Sequence, residues 1–172
     1  MHRAAMALWL CGVLAACDRP AADPPPPAQP PAEATTAEIA ARTPEALVRR
    51  LNARPHIPTD DDDIDTFFAA DLAAAVKADQ RPGDLGAIDY DYRWNAKDVE
   101  ITDVRYEVVA DGPGGSLIRV DYLNFGRPGS TAYALCRRAD GEWRIADVAG
   151  GAGADAASLR AVLKLPKETN AC

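Results

Sequence analysis

The stretch STAYALCRRADGEWRIADV, residues 130 to 148, decides the fold. Two runs in which apolar and polar residues alternate flank Asp140-Gly141, a dipeptide that is a strong signal for a β-hairpin turn. Such alternation is typical of strands with one buried face. The sequence therefore predicts two antiparallel strands here, with Trp143 at the start of the second strand and packed over the sheet as part of the core.

Two further strands precede this hairpin. In VEITDVRYEVVA (residues 99–110), the apolar residues change parity near Thr102-Asp103, which predicts a bulge that bends the strand. A glycine-rich turn at residues 112–115 leads into SLIRVDYLNFG (residues 116–126), where alternation predicts a second long strand. A turn at Arg127-Pro128-Gly129 then leads into the hairpin. Together these segments predict a meander of at least four antiparallel strands.

Helical periodicity marks other parts of the chain. Thr43-Pro44-Glu45 combines a capping hydroxyl, a proline and an acid, which predicts a helix over residues 44–53. The stretch at residues 60–79, DDDDIDTFFAADLAAAVKAD, begins with acids and continues with apolar residues at three- and four-residue steps, which predicts one amphipathic helix to its end. We expect a short irregular strand near residues 88–94 and a short helix over residues 156–164.

These elements predict an α+β domain in which a curved antiparallel sheet of about four to five strands wraps over the N-terminal helices. Three segments also carry a resemblance: YDYRWNAKD (residues 90–98), GEWRIADV (residues 141–148) and SLRAVL (residues 158–163). With their spacing they resemble the uncharacterised family called domain of unknown function 3828, over roughly residues 44 to 165. The resemblance implies a nuclear transport factor 2-like fold, in which the curved sheet forms a cone.

The first sixteen residues, MHRAAMALWLCGVLAA, have one basic residue and then an apolar run that is short for a membrane span, which is the layout of a secretory signal peptide. Leu14-Ala15-Ala16-Cys17 resembles the lipobox of bacterial lipoproteins, which implies cleavage before Cys17 and attachment of lipid, including palmitate, to that residue. Asp18 resembles the signal that keeps enteric lipoproteins in the inner membrane. The alternative is an ordinary secretory signal with an incidental cysteine.

The segment RPAADPPPPAQPPAEATTAE (residues 19–38) lacks the apolar groups that offset the entropy of folding. We expect a disordered tether, up to roughly 55 Å long if it is extended as polyproline II. The predicted organisation is a signal peptide at residues 1–16, lipidated Cys17 and linker at residues 17–42, and a single α+β domain at residues 43–172. This organisation predicts the cell envelope of a Gram-negative bacterium, with the domain facing the periplasm.

The chain is acidic, with a net charge of -7; removing Arg3 with the leader leaves 18 Lys and Arg against 26 Asp and Glu, or -8. Such a surface argues against nucleic acid or anionic lipid as a direct partner of the domain. With Cys11 lost in the leader and Cys17 assigned to lipid, Cys136 and Cys172 remain. In an oxidising periplasm this pair is predicted to form a disulfide; the alternative is a buried free Cys136 and a frayed tail.

The sequence predicts no metal, cofactor or catalytic set. The aspartates at residues 61–65 alternate as in a calcium-binding loop, but Thr66 stands where that loop needs glycine and Leu72 where it needs a bidentate glutamate. The acids favour a helix N-terminus instead. Zinc is unsupported, because no pair of His or Cys lies at ligand spacing. Without the leader, His56 is the only imidazole, and it lies on no predicted strand.

The remaining candidates are aromatic residues and acids that could line the cone. They are Tyr92, Trp94, Tyr106, Tyr122 and Tyr133, with Asp91 and Asp98 beside them. In an open cone these side chains would bind a small molecule, and Arg119 or Arg137 would pair with a charge on that molecule. In a filled cone they would be core, and an exposed patch elsewhere would bind a protein. A carboxylate between aromatics could also transfer protons, which is the enzyme alternative. The sequence favours a non-catalytic module that binds a periplasmic protein or a small molecule.

Overall fold

The computed structural model describes residues 42–80, 86–151, 158–167 and 172. The predicted signal peptide, Cys17 and the linker as far as residue 41 lie outside the described residues. The described residues form an α+β domain with an open four-stranded antiparallel sheet, which confirms the predicted fold class at that level. They all belong to one unit, Ala34–Cys172. Within these ranges, no helix has the length and apolar character needed to cross a membrane.

Helix α1 spans Pro44–Asn52 and confirms the helix predicted over residues 44–53. The Thr43 hydroxyl accepts a hydrogen bond from the Ala46 amide (3.2 Å). It therefore satisfies one of the amides that have no partner at the start of a helix. The buried residues of α1 lie on one face and join the core: Leu47, Val48 and Leu51.

The single helix predicted over residues 60–79 is wrong, because the chain breaks it at Phe68-Ala69. Helix α2 spans Asp61–Phe67 and helix α3 spans Ala70–Asp79. Between them the backbone is extended, and the Ala69 amide donates to the Ile145 carbonyl oxygen (2.9 Å). Phe68 is buried at this break. The helix is interrupted here because the Ala69 amide is bonded to a distant strand and the Phe68 ring is buried in the core.

Four strands form one meander in the order β1-β2-β3-β4. Their bounds, in chain order, are Ile101–Gly112, Gly115–Asn124, Arg127–Arg137 and Trp143–Gly150. The hairpin predicted at Asp140-Gly141 is confirmed, since this dipeptide lies in the turn between β3 and β4 and Gly141 has φ of +86°. Each strand therefore pairs with the strand next to it in the sequence.

The turn between β2 and β3 lies earlier than predicted. Phe125 and Gly126 form it, with φ of 49° and 71°, and Asn124 pairs directly with Arg127. Positive φ at both central residues matches the twist of a two-residue hairpin. The predicted turn Arg127-Pro128-Gly129 instead begins β3, in a part of the strand that precedes its pairing with β4. Pro128 is tolerated there because that side of the strand needs no amide donor.

The segment at residues 88–94 is not a strand, which corrects the prediction of a short irregular strand there. It forms turns, with one bridge between Asp91 and Ala96, and Asn95 has φ of 47°. Asparagine adopts this left-handed conformation more readily than most residues do. The turns leave Tyr92 and Trp94 buried, so the segment still contributes its aromatic side chains to the core.

Strand β1 carries the predicted bulge. Its pairing with β2 shifts around Asp103, which has φ of 54°, and shifts again around Val109. Bulges of this kind bend a strand and increase its twist. Ile101 and Tyr106 are half-buried, and all other residues of β1 are exposed. The outermost strand therefore adds little to the core.

The inner face of the sheet packs on the helices. Alternate residues of β2 and β3 are buried there: Ile118, Val120, Tyr122, Thr131, Tyr133 and Leu135. The apolar ones form a single cluster with Phe68 and the buried faces of α1, α2 and α3. Trp143 packs against this cluster but is only half-buried, so its assignment to the core is correct only in part. Its ring lies 5.7 Å from the Arg137 guanidinium.

A buried arginine holds the C-terminal helix α4, which spans Leu159–Val162. The helix predicted over residues 156–164 is thus shorter in the described part, and residues 156 and 157 lie outside it. Arg160 is 3% exposed. Its Nη2 donates to Asp71 Oδ2 of α3 (2.6 Å), and its Nη1 donates to the Ala146 carbonyl oxygen of β4 (3.2 Å). One side chain therefore connects α4 to α3 and to the sheet.

A disulfide joins Cys136 of β3 to Cys172, with Cα atoms 5.4 Å apart. The two residues are 36 positions apart in the sequence. Cys136 packs with Ala69 and Ala146, and Cys172 lies against this small cluster. The bond therefore fixes residue 172 close to the α2–α3 break and to β4.

Replacing Cys172 by serine should lower the free energy of unfolding by about 3 to 4 kcal/mol, because the bond restricts the unfolded chain over this separation. Urea denaturation followed by tryptophan fluorescence would measure the loss. A reductant should lower the free energy of unfolding of the native protein by a similar amount and leave that of the variant unchanged. A variant as stable as the oxidised native protein would contradict this role.

Stability at acid pH should depend on Asp71. The hydrogen bond and charge of Arg160 hold the pKa of the Asp71 carboxyl below its usual value. Because the folded-state pKa is the lower one, the contribution is complete above the unfolded pKa of about 3.9 and is lost as pH falls through the folded value.

Thermal unfolding from neutral pH down to about pH 2 would therefore show a shallower acid decline in Asp71→Asn than in the native protein. Asp140→Asn is the matched control, because Asp140 pairs with Arg138 on the exposed surface. The control should keep the native acid decline. An unchanged acid decline in Asp71→Asn would refute the assignment.

Candidate functional site

Four of the aromatic residues predicted to line the cone are buried. The exposed fractions are 1% for Tyr92, 7% for Trp94, 5% for Tyr122 and 0% for Tyr133. Trp94 meets Tyr122 edge-to-face with ring centres 5.1 Å apart, and Phe68 meets Tyr92 in the same way at 5.7 Å. Aromatic pairs favour this arrangement in packed interiors. The structure thus brings these predicted residues together as core between the sheet and the helices.

The hydroxyl groups of two of these tyrosines have internal partners. The Tyr133 hydroxyl lies 2.9 Å from Asn52 Oδ1 and 3.1 Å from the Arg93 carbonyl oxygen, and either can accept its proton. The Tyr122 hydroxyl donates to the Trp94 carbonyl oxygen. Burial raises the pKa of both phenols, so both stay neutral at physiological pH. These two hydroxyl groups hold residues 88–94, which we call the irregular segment, against the sheet.

Asp91 is bound by Arg93. The Arg93 Nε lies 2.9 Å from Asp91 Oδ1, and Nη2 lies 2.6 Å from Oδ2. The remaining nitrogen, Nη1, donates to the Arg54 carbonyl oxygen just beyond α1 (2.6 Å). Arg93 is 2% exposed, and a buried guanidinium needs such a planar, charged partner. The carboxylate considered for proton transfer therefore serves to anchor a buried cation.

Among the other predicted residues, Tyr106 packs against the cluster that holds the buried rings, and the charged ones are exposed. Asp98 is exposed just before β1. Tyr106 is half-buried on β1, with its ring centre 3.9 Å from the Arg49 guanidinium carbon of α1. Arg119 and Arg137, considered for a ligand's charge, are exposed on β2 and β3. The structure does not gather these residues into one pocket.

Exposed apolar side chains concentrate on β1 and beside it. Those at least about a third exposed are Val99 (43%), Val104 (36%), Val108 (45%), Val109 (48%) and Phe125 (56%). The Phe125 amide donates to the Glu100 carbonyl oxygen (3.1 Å), so this turn lies next to the start of β1. In the described part of the chain, no strand pairs with the other side of β1. We call that side, over Ile101–Gly112 with its exposed valines, the β1 edge.

The sequence pattern predicted the bulge in β1 but not the β1 edge. The signal was present, since Val104, Val108 and Val109 fall on both parities of one strand. A strand that is buried on one face shows a single parity. A mixture of parities indicates that apolar groups remain outside the core once the bulges are in place.

A groove of about 610 Å³ lies beside the first bulge of β1. It is formed on the sheet itself and not inside the predicted cone. Its lining comprises Asp103 and Arg105 of β1, Asp121–Leu123 of β2, Pro128–Ser130 of β3, and Gly151. The volume is typical of sites for small molecules, and the charges on its wall are of both signs.

The acids at the start of α2 stabilise that helix. The Asp60 side chain accepts a hydrogen bond from the Asp63 amide (2.8 Å), and this bond lowers the pKa of the Asp60 carboxyl. Asp63 in turn is paired with Arg54. Acids at this end also interact favourably with the helix dipole. Across the residues that the structure describes, no group of three or more His, Cys, Asp or Glu could hold a metal ion.

Replacing Arg93 by alanine should lower the free energy of unfolding by about 3 kcal/mol or more, because Asp91 and two backbone carbonyls would lose their buried partner. Urea denaturation would measure the change. Arg138→Ala removes an exposed arginine with an aspartate partner and should cost no more than about 0.5 kcal/mol. Equal costs for the two variants would show that the Arg93 pair has no special structural role.

Comparison with known proteins connects this chain to no family. No family model, no curated protein and no solved structure matches it. What bears on the function is therefore the chemistry of the sequence and the geometry of the described residues.

Proposed function

We propose that the protein is a lipid-anchored, non-catalytic module that binds a protein partner at the envelope of a Gram-negative bacterium. Its folded part would be a nuclear transport factor 2-like domain, similar to the family called domain of unknown function 3828. The partner would be met in the periplasm, at a distance from the membrane set by the linker.

The observation that carries this proposal is the contrast between a filled interior and an exposed apolar strand. The rings of Tyr92, Trp94, Tyr122 and Tyr133 occupy the space in which a cone-binding ligand would lie. Val108 and Val109, by contrast, are about half exposed on the outermost strand. When exposed apolar groups of this kind are clustered, they commonly mark sites of interaction with other proteins. The packing therefore favours recognition of a protein over enclosure of a small molecule.

The proposed location rests on the N-terminal sequence. Leu14-Ala15-Ala16-Cys17 has the chemistry of a lipobox, and acyl chains on Cys17 would contribute about 0.8 kcal/mol per buried methylene. The proline-rich linker that follows would let the domain reach a partner without leaving the membrane. Asp18 favours the inner membrane in this proposal. The disulfide between Cys136 and Cys172 agrees with an oxidising compartment.

A second candidate function is binding of a small molecule in the groove at the β1 bulge. Its volume of about 610 Å³ and its mixed charges, from Asp103, Arg105 and Asp121, suit a polar ligand of modest size. This ligand would differ from the one expected in the cone, because the groove uses only Tyr122 among the predicted cone residues. Enzymatic action has weaker support, since Asp91 is already bound by Arg93.

A crosslinking pull-down from the native envelope tests the proposal. The native chain should recover one stoichiometric protein partner, and Cys17→Ser should recover much less of it because the domain is no longer held at the membrane. Labelled palmitate should be incorporated into the native chain and not into Cys17→Ser.

Cys11→Ser is the matched control, because Cys11 lies in the predicted leader and would be removed with it. This variant should retain both palmitate and partner. Palmitate on Cys17→Ser would overturn the anchor. Recovery of nothing above background by the anchored chain would overturn the protein-binding role and favour the groove as the functional site.

A further inference from the structure

The two edges of the sheet are treated differently by the fold. The outer side of β4 is occupied, since Phe68 bridges Ile145 and Ser158 bridges Ala149. The outer side of β1 has no such bridge from any described residue outside the sheet. A row of backbone amides and carbonyls on one side of β1 is therefore left to pair with solvent or with another chain.

The β1 edge carries two of the usual protections against strand addition, bulges and charged side chains, but it lacks others. Natural edge strands are commonly short or carry lysine or proline. Strand β1 is 12 residues long, ITDVRYEVVADG, and contains neither residue. Its two bulges bend it without covering it, and Val104, Val108 and Val109 remain exposed along it. These side chains offer apolar contacts to an added strand in addition to backbone hydrogen bonds.

The charge of β1 selects the kind of strand that can be added. Three acids, Asp103, Glu107 and Asp111, stand against one base, Arg105. Glu107 forms an ion pair with Arg119 of β2, whereas Asp103 and Asp111 have no ion-pair partner among the described residues. Opposite charges across neighbouring strands stabilise pairing, and like charges oppose it. An added strand with basic side chains is therefore favoured.

The same charges disfavour the two nearest alternatives. A second copy of the chain would bring the acids of β1 to an equally acidic strand. The chain's own N-terminal segment is rich in proline, including Pro24–Pro27, and proline has no amide to donate to a ladder. That segment also carries Asp23, Glu33 and Glu38 against Arg19. Neither occupant matches both the hydrogen-bonding side and the charge of β1.

We infer that the β1 edge binds an extended, basic segment of a partner protein, which also carries apolar residues, as a fifth strand of the sheet. This inference rests on the proposed function and specifies its partner's chemistry. Backbone pairing supplies the affinity in such a mode, and alternate side chains supply the specificity. The valines would contact the apolar side chains of the segment, and Asp111 would face a base.

The test uses the full chain purified in mild detergent and a synthetic peptide of alternating valine and arginine with the length of β1, 12 residues. Hydrogen exchange should slow at amides within residues 101–112 when the peptide binds, because solvent-facing amides become paired. Asp111→Lys should weaken peptide binding about fivefold to tenfold, since it replaces an attraction with a repulsion. Fluorescence anisotropy of a labelled peptide would measure the affinity.

Two controls separate strand addition from simple charge attraction. Asp62→Lys makes the same charge change at an exposed position on α2, and affinity should stay within about twofold of the native value. The same peptide N-methylated at alternate residues keeps its charge but loses the donors of one side, and it should bind poorly. Equal binding of both peptides would overturn the inference, and so would equal effects of the two variants.

The outcomes also separate this inference from the proposed function. Capture of an envelope partner together with unchanged exchange at β1 in the presence of peptide would overturn the inference and leave the binding role standing. Protection of β1 by the peptide without capture of any partner would support the edge and overturn the role at the envelope. Protection that rises with protein concentration alone would assign the edge to a second copy and overturn the inference.

Discussion

Arg93 is the residue through which helix α1, the irregular segment and strand β3 are joined. Its guanidinium binds both carboxylate oxygens of Asp91 and donates to backbone carbonyls at the end of α1. The carbonyl oxygen of the same residue lies within hydrogen-bonding distance of the Tyr133 hydroxyl of β3. A buried cation is stable only when it is paired and fully hydrogen-bonded, so these partners fix how α1 lies on the sheet. Tyr92 and Trp94, its neighbours in the chain, are carried into the interior with it.

This anchoring determines which parts of the sheet stay accessible. Once the irregular segment is held against the sheet, its rings fill the space that an open cone would offer to a ligand. The α2–α3 break and Ser158 then cover the outer side of β4. Strand β1 is left as the part of the sheet whose backbone and apolar side chains remain accessible. The proposed binding surface would thus be a consequence of how the rest of the domain satisfies its own hydrogen bonds.

Local rules predicted the elements that local residues control. Thr43 and Pro44 start α1, and Asp140-Gly141 forms the last hairpin, because capping and positive φ depend on a few adjacent residues. The break at Phe68 could not be predicted from periodicity, since it exists only because Ile145 lies beside it in the fold. The same holds for Phe125, a poor candidate for positive φ that the pairing of β2 with β3 forces into the turn.

Burial of Arg93 and Arg160 has no signature in the sequence, because an arginine that will be paired in the core cannot be distinguished there from a surface arginine. The sequence therefore identified the aromatic residues of the candidate site. It could not show whether they line a pocket or fill the core, because that depends on tertiary contacts.

The sparse burial of β1 has an evolutionary consequence. Because Ile101 and Tyr106 are its only half-buried residues, most of its side chains are free to drift without unfolding the domain. The residues that keep the protein folded and the residues that would choose its partner are thus largely different sets. Related proteins could therefore differ in the exposed side chains of this one strand, and so in the partner they bind, while they keep the same fold.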